Sequence, residues 1–247
     1  VSVIYDYVYR YADGLALLEK DNKYGLVNMS SKEVLPTIYD KIHEFREGYD
    51  YIYVEKEGKY GIVSTSADLV VPAIYDGIGE FKDGLTRVRK EKKYGYVDGS
   101  GNEVIPCIYD DTDDFADGLV KVIIGYKYGL VNTSGNEVLP VIYDEIYGFQ
   151  YDHDFASVNK EGKWGLINKS GNIVVPAIYD YVRGFEDGLT MVGREGKYGY
   201  VDSSGNEVIP CIYDELSFSF TDDLASAMRD GKNVYVNRYG EEFPYEY

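Results

Sequence analysis

The chain has 247 residues, with 25 Lys or Arg against 43 Asp or Glu, so its formal net charge is −18. This excess of carboxylates argues against a nucleic-acid partner, which would need a Lys/Arg-rich face. Since 45% of the residues are hydrophobic, the chain can fill a core, and intrinsic disorder is not expected. No apolar run approaches the ~18 residues of a membrane span, so we also expect no membrane insertion.

An Ile-Tyr-Asp motif recurs along the chain at spacings of 34, 36, 34, 34, 36 and 34 residues. The motif defines seven units that begin at Tyr5, Tyr39, Tyr75, Tyr109, Tyr143, Tyr179 and Tyr213. A fixed period of this length is typical of repeat architectures. The units leave no room for a linker or a second domain, so residues 1–247 are predicted to form a single repeat domain.

Each unit contains three strand-like runs separated by turn signals. In the sixth unit the runs start at Leu189, Tyr198 and Val208, with turns at 195–196 and 204–206. The turn residues tolerate the positive φ that tight hairpins require. The third run contains a proline, which cannot donate to a ladder, so we predict an outer or bulged strand. No segment has the 3.6-residue apolar period of a substantial helix, so the chain is predicted to be all-β.

Both faces of the second run are apolar. Tyr198 and Tyr200 point to one side of the strand, whereas Gly199 and Val201 point to the other. We therefore expect small sheets packed face to face, with the recurring glycine admitting an aromatic ring of the next sheet. This favours a closed, seven-bladed β-propeller-like toroid with three strands a blade and room for a short fourth. An open superhelical stack of the same sheets is the alternative.

The fifth unit carries GKWGLIN at 162–168, SGN at 170–172 and PAIYD at 176–180. This combination resembles the WG (KWG) repeat family of mainly bacterial tandem β-repeat proteins, and the resemblance covers all seven units. Five units depart from it by having Tyr where the family has Trp: Tyr24, Tyr60, Tyr94, Tyr128 and Tyr198. The resemblance implies tandem β-repeats with a binding or scaffolding role, in a bacterial extracytoplasmic or cell-surface setting. It supplies no catalytic residues.

The residues that usually carry catalysis are scarce. His43 and His153 occupy different places in their units, without an oriented partner, so we predict no catalytic residue and no enzyme activity. Cys107 and Cys211 share one repeat position that is otherwise small and mostly apolar, which predicts buried, free thiols. No disulfide is expected between them, because Cα atoms three units apart in a ring should exceed the ~7 Å limit.

Both 36-residue units carry their two extra residues in the same loop, just after Phe45 and Phe149. The candidate ligand-binding residues there are Tyr49, Asp50, Tyr51, Tyr151, Asp152, His153 and Asp154. Aromatic faces beside carboxylates suit a sugar ring or a cationic or peptide group. The predicted function is a binding module that recognises a protein, peptide or glycan through rim loops. An enzyme or metal-dependent module with a site in a central channel is the alternative.

One acidic cluster is a weak candidate for calcium. Asp110, Asp111, Asp113 and Asp114 place several hard oxygen ligands close together, which Ca²⁺ accepts. The cluster lacks the residue order of a helical calcium loop, so solvated turns are the preferred interpretation and no cofactor is predicted.

Overall fold

The computed structural model describes residues 5–10, 14–30, 32–43, 51–64, 69–116, 118–148 and 154–245. Its strands form seven sheets of four strands each, and these segments contain no helix, which confirms the all-β prediction. A membrane-spanning helix of sufficient length and hydrophobicity is therefore not found in these segments.

The strands fall into seven sequence-consecutive groups. The first three sheets contain β1 (Tyr7–Arg10), β2 (Leu15–Lys20), β3 (Lys23–Asn28) and β4 (Glu33–Tyr39); β5 (Lys41–Ile42), β6 (Tyr51–Lys56), β7 (Lys59–Ser64) and β8 (Leu69–Tyr75); and β9 (Gly77–Lys82), β10 (Leu85–Lys90), β11 (Lys93–Asp98) and β12 (Glu103–Tyr109). The fourth and fifth contain β13 (Asp111–Thr112), β14 (Leu119–Ile124), β15 (Lys127–Asn132) and β16 (Glu137–Tyr143); and β17 (Glu145–Gly148), β18 (Phe155–Lys160), β19 (Lys163–Asn168) and β20 (Ile173–Tyr179). The last two contain β21 (Tyr181–Val182), β22 (Leu189–Arg194), β23 (Lys197–Asp202) and β24 (Glu207–Tyr213); and β25 (Glu215–Leu216), β26 (Leu224–Arg229), β27 (Lys232–Asn237) and β28 (Glu242–Pro244).

Every sheet is a meander in which neighbouring strands follow one another along the chain. The three predicted runs are its second, third and fourth strands. The first strand is the short additional one that the sequence left room for, and it begins directly after the Tyr-Asp with which its unit starts. In the last sheet, for example, Glu215 and Leu216 pair with Met228 and Ala227.

The proline-containing run is the edge strand of its sheet, and its pairing with the third strand shifts register, so the outer-or-bulged prediction is confirmed. The bulge explains the recurring glycine. A Cβ on Gly95 would lie 2.4 Å from the carbonyl oxygen of Ile105 on the bulged strand β12. The expectation that this glycine admits an aromatic ring of the next sheet is therefore wrong, because the group that approaches it is backbone of its own sheet.

Most hairpins between second and third strands use two-residue turns with positive φ at both positions. The turn prediction is confirmed: φ is 52° and 58° at Asp21 and Asn22, and 54° and 74° at Glu195 and Gly196. Such turns match the right-handed twist of the strands that they connect.

Clusters of buried side chains join neighbouring sheets face to face. One cluster of buried side chains joins Leu26 and Leu35 of the first sheet to Ile52 and Val54 of the second. Similar clusters join the second and third, the fourth and fifth, the fifth and sixth, and the sixth and seventh sheets. This confirms face-to-face packing of small sheets. The closed ring and the open stack both stay predictions.

The aspartate of the Ile-Tyr-Asp motif links one sheet to the next. Oδ1 of Asp180 accepts from Nζ of Lys163 at the start of β19, and Oδ2 accepts from the amide of Glu195 in the β22–β23 turn. The same lysine–aspartate pair recurs at Lys23–Asp40, Lys59–Asp76, Lys93–Asp110, Lys127–Asp144 and Lys197–Asp214. We call this arrangement the lysine–aspartate clamp.

The chain forms two compact units, Val1–Thr112 with Thr133–Gly135, and Asp113–Asn132 with Asn136–Tyr247. The first unit contains the first three sheets, and the second contains the last three. The single repeat domain over residues 1–247 stays a prediction.

Candidate functional site

The second compact unit contains an open cleft of about 670 Å³ beside the fifth sheet, which we call the Tyr147 cleft. Its lining residues are Tyr147, Gly148, Asp154, Phe155, Ser157, Leu166, Arg183, Gly184, Phe185 and Glu186. The first six belong to the fifth sheet or its loop, and the last four follow the short strand β21. A volume of this size falls within the range of small-ligand sites.

Strand pairing positions one wall of the cleft. Tyr147 of β17 pairs with Ser157 of β18, which pairs with Leu166 of β19, so the three side chains lie in one row on the same face of the sheet. The row is buried at Leu166, half-buried at Ser157 and open at Tyr147. The cleft therefore deepens from a water-exposed aromatic ring to an apolar base.

Aromatic rings form much of the surface of the cleft. Phe155 and Phe185 pack with their ring centroids 4.5 Å apart, and both are half-buried. Tyr147 is 59% exposed, and its ring stacks on Trp164, the single tryptophan of the chain, with centroids 5.9 Å apart. Because Trp164 supports one face of Tyr147, this ring is held in place at little conformational cost.

Charges of both signs surround these rings. The guanidinium of Arg183 lies 4.3 Å from the ring centroid of Phe218, which orients it beside the cleft. Asp154 is exposed and lies 3.8 Å from Nζ of Lys169, and the side chain of Glu186 is exposed as well. The Tyr147 cleft therefore offers an apolar aromatic surface with one guanidinium and two carboxylates around it.

Tyr147 and Arg183 occupy the same repeat position, the third residue after the clamp aspartate. The other units place Tyr9, His43, Gly79, Asp113 and Ser217 there. Positions that packing requires, such as the clamp aspartate and the hairpin lysine, recur almost unchanged, whereas this one changes chemistry from unit to unit. Packing therefore leaves it free for recognition, and alignment of the units on their aspartates would have pointed to it.

A family model described as WG containing repeat matches seven consecutive segments of the chain, at 1–24, 24–60, 60–94, 94–128, 128–164, 164–198 and 198–232. The chain belongs to the WG repeat family. The seven matches cover nearly the whole WG-repeat chain, so the resemblance identified from its motifs is confirmed. No curated protein matches this chain.

Several solved structures resemble the WG-repeat chain weakly. Hsv2 from Kluyveromyces marxianus is 8% identical with a TM-score of 0.33, over 93% of this chain and 90% of that chain. Hsv2p from Kluyveromyces lactis is 10% identical with a TM-score of 0.33, over 93% and 89%. A eukaryotic initiation factor is 9% identical with a TM-score of 0.31, over 100% and 88%.

The structure describes two of the seven residues that the sequence proposed for the rim loops. Asp154 lines the Tyr147 cleft, and its role in ligand binding stays a prediction. Tyr51 lies in strand β6, half-buried, with its ring 5.1 Å from that of Phe81 in the next sheet. The other five, Tyr49, Asp50, Tyr151, Asp152 and His153, lie outside the described residues.

The acidic cluster of the WG-repeat chain is largely paired with cations. Asp110 pairs with Lys93, Asp111 with Arg87 and Asp113 with Lys121, while Asp114 is exposed. Within the part of the chain that the structure describes, no group of three or more His, Cys, Asp or Glu side chains is arranged to hold a metal. The calcium candidate and the preferred interpretation as solvated turns both stay untested.

Both cysteines are free and half-buried, less buried than the sequence predicted. Burial raises the pKa of each thiol, Cys107 and Cys211, to about 11. His43 is half-buried in the second sheet, and burial lowers its pKa. None of these three residues lies at the Tyr147 cleft.

Proposed function

We propose that this WG-repeat chain is a non-catalytic binding or scaffolding module that recognises a protein, peptide or glycan at the Tyr147 cleft. The observation that carries the proposal is an exposed aromatic surface, formed by Tyr147, Phe155 and Phe185, with charges of both signs around it. Family membership supports a binding or scaffolding role in general. The ligand site is the more specific part of the proposal.

The chemistry of the cleft suits a ligand with an apolar face and a polar edge. A sugar ring or an apolar side chain can stack on Tyr147, and rigid aromatic rings lose little conformational entropy when they bind. Arg183 can donate to a carbonyl or hydroxyl oxygen of the ligand, while Asp154 and Glu186 can accept from hydroxyl or amide groups. Tyr and Arg are also the residue types that most often dominate binding energy.

The surroundings of the cleft favour binding over catalysis. Its described lining contains no histidine or cysteine, and both of its carboxylates are exposed to water. Two carboxyl groups that act as general acid and general base need different pKa values, and burial of one of them away from water produces this difference. The open cleft does not bury either carboxylate.

Binding to glycan and peptide arrays, followed by titration of the selected ligand, tests the proposal. Tyr147→Ala should weaken binding about tenfold or more, as expected for an aromatic residue at the centre of a site. Arg183→Gln should weaken it as well, because one charged donor is lost. Tyr126→Ala is the matched control, since this ring is 93% exposed in the β14–β15 turn and should not affect binding.

Thermal unfolding of the same variants separates binding from folding. Each variant should keep a Tm close to that of the parent chain, because Tyr147 and Arg183 are both exposed. If neither array yields a ligand, or if Tyr147→Ala and Tyr126→Ala bind it equally well, the proposed function is contradicted.

A further inference from the structure

The first compact unit contains a second hollow, of about 300 Å³, on the third sheet. It is lined by Gly77, Ile78 and Gly79 of β9, Arg87, Val88 and Arg89 of β10, and Tyr94 of β11. We call it the Arg89 hollow. It shares no residue with the Tyr147 cleft, so it does not depend on the function proposed above.

The hollow exists because one row across the sheet lacks a side chain. Gly77 pairs with Arg89, which pairs with Tyr94, so the guanidinium has no neighbour on the edge strand. The equivalent rows elsewhere are Tyr7–Glu19–Tyr24, Lys41–Glu55–Tyr60, Glu145–Asn159–Trp164 and Tyr181–Gly193–Tyr198. Only the row of the third sheet, among those compared, combines a glycine on the edge strand with an arginine beside it.

The glycine is not required by the backbone. A Cβ on Gly77 would be 3.8 Å from its nearest neighbour, Nε of Arg89, which is an ordinary contact distance. Its φ is also outside the left-handed region. A larger residue would fit at position 77 without a clash or backbone strain. Neither packing nor backbone conformation therefore explains why this position is glycine.

The two arginines leave donors available in this hollow. Arg87 pairs with Asp111 and lies 3.9 Å from the centroid of the Tyr94 ring, yet its buried Nε has no hydrogen-bond partner. Arg89 donates only a long bond of 3.4 Å to the carbonyl oxygen of Asp76 and forms no ion pair with a described carboxylate. The clamp carboxylate of Asp76 is already bound to Lys59 and to the amide of Glu91.

The charge around the hollow contrasts with that of the chain. Five of the seven residues at 87–93 are Lys or Arg, in a protein whose net charge is −18. This local excess can attract an anionic group to a surface that otherwise repels it.

We propose that the Arg89 hollow binds a side-chain carboxylate of an acidic peptide. A guanidinium presents two parallel donors that match the two oxygens of a carboxylate, and Arg87 already holds Asp111. Tyr94 lines the hollow beneath the guanidinium of Arg87, which covers the face of its ring. A single negative charge matches the guanidinium of Arg89, which forms no ion pair with a described carboxylate, whereas a dianionic phosphate would be repelled more strongly by Asp111, Asp76 and the net charge.

A fluorescein-labelled peptide with a single central glutamate, compared with its counterpart that has glutamine at that position, is the direct probe. Titration should show at least tenfold tighter binding of the glutamate peptide. The NMR signals of the Nε–H groups of Arg87 and Arg89 should move during the same titration. A phosphoserine version of the peptide and inorganic phosphate form the comparison arms.

Gly77→Glu is the decisive variant, because it supplies a carboxylate from the chain itself, as Glu145 and Glu215 do at the same repeat position. It should weaken binding of the glutamate peptide at least tenfold, whereas Gly77→Ala should leave binding nearly unchanged. Gly99→Glu is the control of equal charge, since a Cβ there meets nothing within 4 Å. Arg89→Gln should also lose binding, and Lys92→Gln, which removes the same charge outside the hollow, should not.

Circular dichroism and thermal unfolding establish that each variant is folded before its binding is measured. Equal binding of the glutamate and glutamine peptides would overturn the proposal. It would also be overturned if Gly99→Glu weakened binding as much as Gly77→Glu does, or if phosphoserine or inorganic phosphate bound more tightly than glutamate.

Discussion

Gly95 shows how one residue makes a bulged edge strand possible. The carbonyl oxygen of Ile105 and the backbone of Pro106 and Cys107 occupy the space where its Cβ would lie. The same close approach recurs at Gly25, Gly61, Gly129, Gly165 and Gly199. The repeated Tyr/Trp-Gly dipeptide therefore reflects a backbone contact within each of the first six sheets.

Gly95→Ala is expected to destabilise the protein by roughly 1–3 kcal/mol, the range for overpacking, because the three atoms nearest to the added Cβ are all backbone and cannot rotate away. The nearby Gly99→Ala is the matched control, because a Cβ at Gly99 meets nothing within 4 Å. Chemical denaturation of both variants measures the difference in unfolding free energy. Equal stability of the two variants would contradict the assigned role of Gly95.

At the level of secondary-structure elements, the two-residue hairpin turns set the register of the second and third strands. Most of these turns place glycine at the second position, where φ is positive, as at Gly58, Gly162 and Gly196. The turn at Glu91–Lys92 instead holds two side-chain-bearing residues at φ 52° and 64°. A left-handed conformation costs such residues about 1–2 kcal/mol.

Lys92→Gly should therefore stabilise the chain by about 1 kcal/mol, because the left-handed strain is removed. For a chain of this size the gain corresponds to an increase in Tm of about 2–4 °C. Lys92→Ala serves as the control, since it removes the same charge but keeps the strain. Scanning calorimetry of both variants checks the prediction, and an equal gain in Lys92→Ala would show that charge is responsible.

At the scale of the whole molecule, the lysine–aspartate clamp repeats from sheet to sheet and makes stability depend on pH. Hydrogen bonds from the clamp lysine, and then from a backbone amide, hold the pKa values of Asp40, Asp76, Asp144, Asp180 and Asp214 below the ordinary 3.8. A carboxyl whose folded-state pKa is lowered stabilises the fold above its unfolded-state pKa. That stabilisation is lost as the pH falls through the folded-state value.

We therefore expect the Tm to be nearly constant between about pH 5 and pH 7 and to fall steeply below about pH 4, where these carboxylates begin to be protonated. Asp180→Asn should lower the Tm at neutral pH and make the acid dependence shallower. Asp83→Asn is the control, because Asp83 is exposed and outside the clamp. Thermal melts from about pH 2 to 7 measure both effects, and an unchanged acid slope in Asp180→Asn would contradict the role of the clamp.

Local patterns in the sequence predicted much of this architecture. The period of the Ile-Tyr-Asp motif determined the number of sheets, and the turn residues at 195–196 determined the hairpins, because both depend on the chemistry of neighbouring residues. The apolar residues on both faces at Tyr200 and Val201 determined that sheets pack on both sides, since each face must be shielded from water. The edge position of the proline strand followed from its missing amide proton.

Only the tertiary structure decided which of the variable residues meet. Tyr147 and Phe185 are 38 residues apart, and Gly77, Arg89 and Tyr94 lie on three strands, so a local pattern does not show which of these residues meet. The tertiary structure also decided which group contacts the recurring glycine. A bulge changes which backbone groups face each other, but it does not alter the hydrophobic pattern of the sequence. Neighbouring side chains and turn chemistry specify strands and their count, whereas a binding surface depends on distant residues that packing brings together.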